Sequence, residues 1–377
     1  MFQISLLSSV ESISTIKAEW AELYENNSEL SPYQSFEWNI ALIENGTYGG
    51  TINYYCLYKQ GKMILIAPFV KRGRVVFQEL RFLGEETHAD YLNFIYHQNL
   101  QYEDFYYFIN ELINARANVI LHLNLLHSSS RISSFVDRLP FGQRNYCIPC
   151  VKVPIWGSID EFHTTLSKRV KSKVRRSISR LENSLLEVEY RFVEDRQLQE
   201  EAIDEVLQLY INHSLELRRE VNIKSVNAVK QYLRDTRQGF LAECYIDGEI
   251  AAVFLGFVSP NGTICSPITA YKSIYKEYSI GIVLLYKTIC FLINQNKQVK
   301  YFDLTRGTEE YKFKIGGIQH NCRTFILSKT RAVACLALYV PYFSCQCKSQ
   351  LRNQMSRLCT CLMRGEKKEL KSNNLHS

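Results

Sequence analysis

The sequence lacks long apolar runs and the best-known nucleotide-binding motifs. No segment reaches the roughly 20 uninterrupted apolar residues that a membrane-spanning helix needs. Met1–Val10 has no basic residues, and Glu11, Lys17 and Glu19 follow before any long apolar stretch could form, which argues against a secretory signal. Neither a phosphate loop nor a dinucleotide fingerprint occurs. These absences predict a cytoplasmic protein.

The cysteines do not form a recognisable metal-binding pattern. Seven of the twelve are scattered through the first 328 residues, which indicates buried reduced thiols. Four of the other five form Cys345-x-Cys347 and Cys359-x-Cys361. The spacing within these pairs is not that of a zinc knuckle, and no histidine joins them. The sequence therefore predicts no metal site.

The positive charge of the chain is confined to its end. From Lys329 onward there are nine Lys and Arg residues against two Glu residues, which equals the whole net charge of +7. The first 328 residues are formally neutral, whereas a dedicated nucleic-acid-binding protein needs a basic face on its folded body. We expect any anionic partner to be bound locally.

The length predicts two domains and an appendage. At 377 residues the chain is about twice the common domain size. We predict an N-terminal domain over residues 1–150, a catalytic domain over 151–328 and a basic, cysteine-rich helical tail over 329–377. Both halves show a rough order of helices, a strand hairpin, a helix and a strand, which fits a diverged duplication.

The second half predicts a mixed α/β sheet. Strands are expected at Gly239–Ile246, Glu249–Val258 and Thr263–Tyr271, with Asp247-Gly248 as a strong hairpin signal between the first two. An apolar helix, Ile280–Asn294, and a strand, Lys300–Leu304, follow. A strand that follows a crossover helix can insert parallel to the strand before it, which gives a sheet with a splayed edge.

Two neighbouring segments carry a family resemblance. Tyr271–Gly281 leads into the apolar helix, and Tyr301–Lys312 reads Tyr-Phe-Asp-Leu-Thr-Arg-Gly-Thr-Glu-Glu-Tyr-Lys. They resemble the GNAT-like domain of the CelD/BcsL group of cellulose-biosynthesis-associated acetyltransferases and, more distantly, Fem-type aminoacyl transferases. Ile280 stands where that pattern has proline. The resemblance spans most of residues 15–328 and implies two tandem GNAT-like domains, of which the first is degenerate.

The start of the apolar helix is a candidate cofactor site. A helix that begins at Ser279-Ile280-Gly281 presents free backbone N–H groups and a positive dipole end, and Gly281 leaves room for a phosphate. The alternative is that Ser279 only caps the helix and Gly281 only packs. The resemblance favours acetyl-CoA or another acyl-CoA as co-substrate, with no metal. The cofactor-binding candidates are Ser279, Ile280, Gly281, Arg306 and Tyr311.

The following strand and loop supply the catalytic candidates. Asp303 comes at the carboxyl end of a strand, where open α/β sheets build their sites. Acyl transfer needs a base, donors for the oxyanion and an acid for the leaving thiolate. We assign the role of base to Asp303 or Glu309 and the role of acid to Tyr271 or Tyr278. Main-chain N–H groups near Thr269–Tyr271 would stabilise the oxyanion, and Lys312 is a further catalytic candidate. The alternative is a solvated salt-bridge loop.

Two cationic features leave the partners open. Seven of the thirteen residues in Lys168–Arg180 are basic, on a predicted amphipathic helix. That basic face is either simply exposed to solvent or attracts an anionic partner to the site, which would be the acyl donor, a glycan or the acceptor end of a tRNA. In the tail, Cys347, Leu351, Met355, Leu358 and Leu362 share one helical face, which either packs on the catalytic domain or lies on a membrane surface.

These observations favour acyl-CoA-dependent N- or O-acyl transfer to an amino sugar, glycan precursor or similar small acceptor. Two alternatives stay open. One is Fem-like transfer from an aminoacyl-tRNA, suggested by the basic helix. The other is a catalytically silent, membrane-peripheral scaffold, suggested by the tail.

Overall fold

The described chain forms a mixed α/β structure. The computed structural model describes residues 1–73, 78–115, 119–194, 198–236, 238–295 and 299–329. The cysteine pairs and the predicted tail helix lie outside these residues. No helix within the described ranges is both long and apolar enough to cross a membrane.

The first half contains six strands and five α-helices within the described residues. Its strands are β1 (Phe2–Leu7), β2 (Thr51–Lys59), β3 (Lys62–Gly73), β4 (Gln78–Phe82), β5 (Ile95–Tyr96) and β6 (Val119–His127). Its helices are α1 (Val10–Ser14), α2 (Lys17–Glu25), α3 (Phe36–Glu44), α4 (Tyr102–Asn114) and α5 (Arg131–Asp137). A short 3-10 helix, Pro32–Gln34, precedes α3.

The second half contains seven strands and six α-helices within the described residues. Its strands are β7 (Gly142–Pro154), β8 (Val188–Glu194), β9 (Gly239–Ile246), β10 (Glu249–Val258), β11 (Thr263–Tyr271), β12 (Tyr301–Arg306) and β13 (Ile318–Ser328). Its helices are α6 (Ile159–Thr165), α7 (Lys168–Glu182), α8 (Glu200–Glu216), α9 (Ile223–Thr236), α10 (Ile280–Asn294) and α11 (Glu310–Lys314). A 3-10 helix, Ser273–Tyr278, connects β11 to α10.

All described strands belong to one sheet that runs through both halves and joins them at β6 and β13. The order is β1-β2-β3-β4-β6-β13-β7-β12-β11-β10-β9-β8, and β5 pairs with β3 beside this path. The last strand, β13, therefore lies between β6 and β7, and β7 lies between β13 and β12. The predicted division between residues 150 and 151 falls inside β7, and the division into domains stays a prediction.

Local sequence rules explain the hairpins. Gln60 and Gly61 both have positive φ, as do Asp247 and Gly248, which is the backbone of the two-residue turns that match strand twist. The bounds predicted for β9, β10, β11 and α10 agree with the structure. By contrast, Pro149 and Pro154 in the sequence predict only a short strand near Val151–Trp156. Strand β7 instead extends to thirteen residues, because it pairs along most of its length with β13.

An aromatic cluster joins the two halves on one face of the sheet. Trp38 of α3 packs edge-on against Tyr232 of α9, with ring centroids 5.5 Å apart, and lies 5.5 Å from Phe257 of β10. All three rings are buried. A second core, built around α10 and including Phe302 and Phe254, covers the opposite face of the second half. Side chains of β12 therefore alternate between the α10 core and the junction with the first half.

Candidate active site

Strands β11 and β12 part at Asp303. They pair in parallel only at Thr263↔Tyr301, Ile264↔Phe302 and Cys265↔Asp303, although β11 continues to Tyr271 and β12 to Arg306. Thr305 has a φ of 54°, and the register with β7 shifts between Asp303 and Arg306. The predicted parallel insertion and splayed edge are therefore present, and Asp303 is the last paired residue before the opening.

The carboxyl group of Asp303 is buried and is held by two groups. The Tyr91 hydroxyl lies 2.8 Å from both Asp303 oxygens, and the Thr305 N–H donates to Oδ1 at 2.7 Å. Burial raises the pKa of Asp303 to about 7, although the hydrogen bonds from Tyr91 and Thr305 oppose the shift. A carboxyl with a pKa near neutrality can accept and release a proton at physiological pH.

Two histidines extend this network on the side of the first half. His320 Nε2 lies 3.0 Å from the Tyr91 hydroxyl, and its ring stacks on His127 with centroids 5.1 Å apart. Burial, the neighbouring His127 and Lys152 lower the pKa of His320 to about 3. A neutral His320 that carries its proton on Nε2 donates to Tyr91, which in turn donates to Asp303.

A loop of the first half delivers Tyr91 to this network. Tyr91 has a φ of 55°, which is uncommon for a bulky residue, and the preceding Asp90 forms an ion pair with Arg306. The loop is tied to the second half at His88, whose Nδ1 lies 2.6 Å from Ser225 Oγ and whose Nε2 lies 2.8 Å from the Tyr210 hydroxyl. Arg306, predicted to bind cofactor, therefore joins the halves.

A polar cavity of about 320 Å³ opens beside Asp303. Its floor is the sheet surface that carries Cys265, Asp303 and Lys152, which lie side by side on three neighbouring strands. Its walls come from the first half and from the β10–β11 turn; the wall residues include Ser28, Glu29, Ser31, Tyr91, His127, Ser129, Ser130, Ser259 and Asn261. No cluster of metal-ligating side chains occurs among the described residues.

The loop after β12 is braced by Lys312. Its buried ammonium donates to the carbonyls of Leu304 at 2.9 Å and Arg306 at 2.6 Å, and lies 3.0 Å from Glu309 Oε2. Burial would raise the pKa of Glu309, but hydrogen bonds from its own N–H and from Lys312 hold it below the usual value. This arrangement gives Lys312 a positioning role at the opening, with Glu309 as its partner.

The start of α10 lies beside the end of β11. Ser279 is the N-cap residue of α10, but it has a φ of 51° and its side chain forms no capping hydrogen bond. Backbone bonds to the Ser279 carbonyl begin at Ile282, which leaves the Ile280 and Gly281 N–H groups without a helical partner. A Cβ atom added to Gly281 would meet only Tyr271 Cδ1, at 3.7 Å. The space above this turn is therefore open.

The predicted site residues form two groups. Tyr271, Gly281, Tyr311 and Glu309 gather near the α10 end of the opening, where burial, Glu309 and Tyr271 raise the pKa of Tyr311 to about 12. Asp303 and Arg306 face the first half instead. Tyr278 packs on the α10 core from the 3-10 helix.

Sequence reasoning missed Tyr91, His127, Lys152 and His320. Strand pairing brings Lys152, His127 and His320 to Asp303, and a loop of the first half brings Tyr91, so no local pattern indicates their proximity.

Part of this chain matches a known domain family, and the whole fold is similar to that of several solved structures. Residues 168–313 match the family model described as Acetyltransferase (GNAT) domain, a range that contains Asp303 and runs from α7 into α11. No curated protein matches the chain in sequence.

Solved structures with similar folds extend over both halves. FemX has a TM-score of 0.55 at 8% identity, covering 89% of this chain and 98% of its own. L-PGS from Bacillus licheniformis has a TM-score of 0.54 at 13% identity, covering 88% and 96%. A C-terminal domain described as that of a lysylphosphatidylglycerol synthetase from Agrobacterium fabrum has a TM-score of 0.54 at 10% identity, covering 88% and 97%. At such identities the likeness concerns the fold. With its GNAT domain at residues 168–313, this chain is an acyltransferase.

Proposed function

We propose that the protein transfers an acyl group from acetyl-CoA or another acyl-CoA to an amine or hydroxyl of an amino sugar, glycan precursor or similar small acceptor. The observation that carries this proposal is the position of Asp303. A buried carboxyl with a pKa near 7 lies at the point where two parallel strands part, between an open helix start and a polar cavity. Membership of the CelD/BcsL group is part of this proposal.

The opening between β11 and β12 supplies oxyanion donors. The Lys272 N–H donates to the Ala251 carbonyl of β10 at 2.8 Å. In an antiparallel pair, successive N–H groups point alternately toward and away from the partner strand, so this bond fixes which N–H groups of β11 point toward β10. By that alternation, the N–H groups of Thr269 and Tyr271 point away from β10, toward the side where β12 has diverged. Two N–H groups aimed at one gap can hold a developing oxyanion.

The proposed reaction uses Asp303 as the base. Thr269 lies four residues, about 13 Å, along β11 from the Cys265 that pairs with Asp303. Asp303 therefore accepts the proton of the attacking amine through bridging water as the nitrogen–carbon bond forms, while the Thr269 and Tyr271 N–H groups hold the oxyanion. When the carbon–sulfur bond breaks, the thiolate takes a proton from Tyr271, whose position at the end of β11 suits this role better than that of Tyr278. Tyr91 orients Asp303 and remains protonated because burial raises its pKa well above the usual value.

The cofactor end of the site is tested by Gly281→Val. The added side chain fits the protein but fills the open space above the helix start, so coenzyme A should bind at least tenfold more weakly. Thermal shift with coenzyme A and acetyl-CoA measures this, since a ligand at a hundredfold excess over its Kd stabilises the fold by about 2.7 kcal/mol. Gly49→Val is the matched control, because its added Cβ also meets its nearest atom at 3.7 Å. Unchanged binding to Gly281→Val would place the cofactor elsewhere.

An aminoacyl-tRNA donor is the second candidate. Seven basic residues of α7 alternate with the buried Val170, Val174 and Leu181, so the cationic face is exposed as predicted. The 3-10 helix that leads to α10 packs against α7, which brings this face near the proposed donor site. The formally neutral body of residues 1–328 favours the acyl-CoA donor.

A further inference from the structure

The cavity beside Asp303 contains charged groups that acyl transfer itself does not require. Lys152 and Lys300 both line it, together with Glu29. Glu29 is already engaged, because one of its oxygens accepts from the Tyr96 hydroxyl at 2.6 Å and from the Arg131 N–H at 2.8 Å. The side chain of Arg131 also lies 4.0 Å from it. The other acidic group of the cavity, Asp303, is held by Tyr91 and the Thr305 N–H, so two lysines face one aspartate and the cavity has an excess of positive charge.

Lys152 is held in place by the sheet. Its Cα pairs with Asp303 on β12 and with Ile318 on β13, so the backbone is fixed on both sides and its side chain projects beside Asp303. Its ammonium lies over the Tyr301 ring, 3.9 Å from the centroid. It lies beside the Asp303 carboxyl and interacts with it electrostatically, but no direct ion pair joins it to a carboxylate among the described residues. A half-buried lysine placed in this way is well suited to bind an anion.

Building on the proposed transfer reaction, we propose that the acceptor is a small amine that also carries an acidic group. Its amine faces Asp303, and its carboxylate or phosphate binds the ammonium of Lys152. The exposed Lys300 adds positive charge at the mouth of the same cavity.

The spacing of the two groups limits the acceptor. Tyr301, under the Lys152 ammonium, precedes Asp303 by two residues on the same strand, a step of about 6.6 Å. The amine and the acid must therefore be several bonds apart, as in an amino sugar phosphate or an ω-amino acid.

Calorimetric binding without any acyl donor tests this inference on the full chain. The probes are two matched pairs, glucosamine 6-phosphate with glucosamine and 4-aminobutyrate with butylamine, and inorganic phosphate. The acid-bearing member of at least one pair should bind at least tenfold more tightly than its neutral partner. Lys152→Met should abolish that preference and leave the neutral amine unchanged. Lys152→Arg should restore it, and Lys62→Met, at an exposed ion pair with Glu22, is the control.

Three results would overturn the inference. These are equal binding within both pairs, undiminished preference in Lys152→Met, and binding of inorganic phosphate as tight as that of glucosamine 6-phosphate, which would indicate a general anion site. Coenzyme A binding to the same samples keeps the two proposals apart. Retained coenzyme A binding with no acid preference would contradict the acceptor class alone, whereas acid preference without coenzyme A binding would contradict the proposed donor alone.

Discussion

The buried carboxyl of Asp303 makes the stability of the folded protein depend on pH. Its folded pKa of about 7 lies above the value of 3.8 expected for a free aspartate, chiefly because it is buried. Between these two pH values the folded protein retains a proton that the unfolded chain has released. The contribution to stability is therefore full below about pH 4 and is lost as the pH rises through about 7.

We predict that Asp303→Asn removes this pH dependence. The unfolding free energy of the natural protein, relative to the variant, should fall with pH by at most about 1.4 kcal/mol per unit and level off above pH 7. Activity should behave in the opposite way. The kcat/KM of the natural protein should rise through about pH 7, and the variant should lose about 10²- to 10⁴-fold without that rise.

Urea titrations and rate profiles between pH 4 and 9 measure both effects. Asp137→Asn, at an exposed ion pair with Arg323, controls for the loss of a carboxylate elsewhere. Full activity in Asp303→Asn would show that another group is the base.

Lys312 shows how structure changes the interpretation of a motif. Tyr-Lys at the end of the family segment suggested a catalytic cation, but the ammonium is buried and donates to the Leu304 and Arg306 carbonyls. Both of these contacts join Lys312 to residues no more than eight positions away in the sequence, so they support the local turn. Some of the charged residues near Asp303, such as Lys312 and Glu309, therefore stabilise the loop that borders the opening.

At the scale of elements, α7 discriminates between the two candidate donors. If the donor is a tRNA, replacing Lys171, Arg175 and Arg176 with glutamine should reduce the slope of log affinity against log salt, because that slope scales with phosphate contacts. We expect tRNA binding to be weak and unspecific before any replacement. Filter binding across a salt series measures the slope. A steep slope in the natural protein that falls in the triple variant would support the aminoacyl-tRNA donor.

Local patterns predicted most elements of the second half, and long-range pairing decided the rest. Alternating apolar residues and the Asp247-Gly248 turn were enough for β9 and β10, because hairpin register is set by nearby residues. The edge strand β1 was missed, since its pairing partner β2 lies more than forty residues away. The same limitation hid the proximity of Lys152 and His320 to Asp303. Asp303 itself was predictable, because the end of a strand can be recognised from the residues next to it in the sequence.

At the scale of the whole molecule, one strand pairing joins the two halves into a single sheet. Strand β13 of the second half pairs with β6 of the first half along most of its length. The Trp38, Tyr232 and Phe257 cluster adds an apolar junction on one face. The cavity beside Asp303 takes residues from both halves and depends on their staying together.

We therefore predict that the two halves unfold as one unit. In a Trp156→Phe background, fluorescence reports only on Trp20 and Trp38 in the first half. Leu285→Ala, a cavity in the buried core around α10 of the second half, should cost about 2–5 kcal/mol. In a single cooperative unit, the urea midpoint of the first-half tryptophans must fall together with the circular dichroism midpoint. Leu215→Ala, at an exposed leucine, should leave both midpoints unchanged. Tryptophan midpoints that stay in place while the circular dichroism transition splits would show that the halves are separate domains, despite the shared sheet.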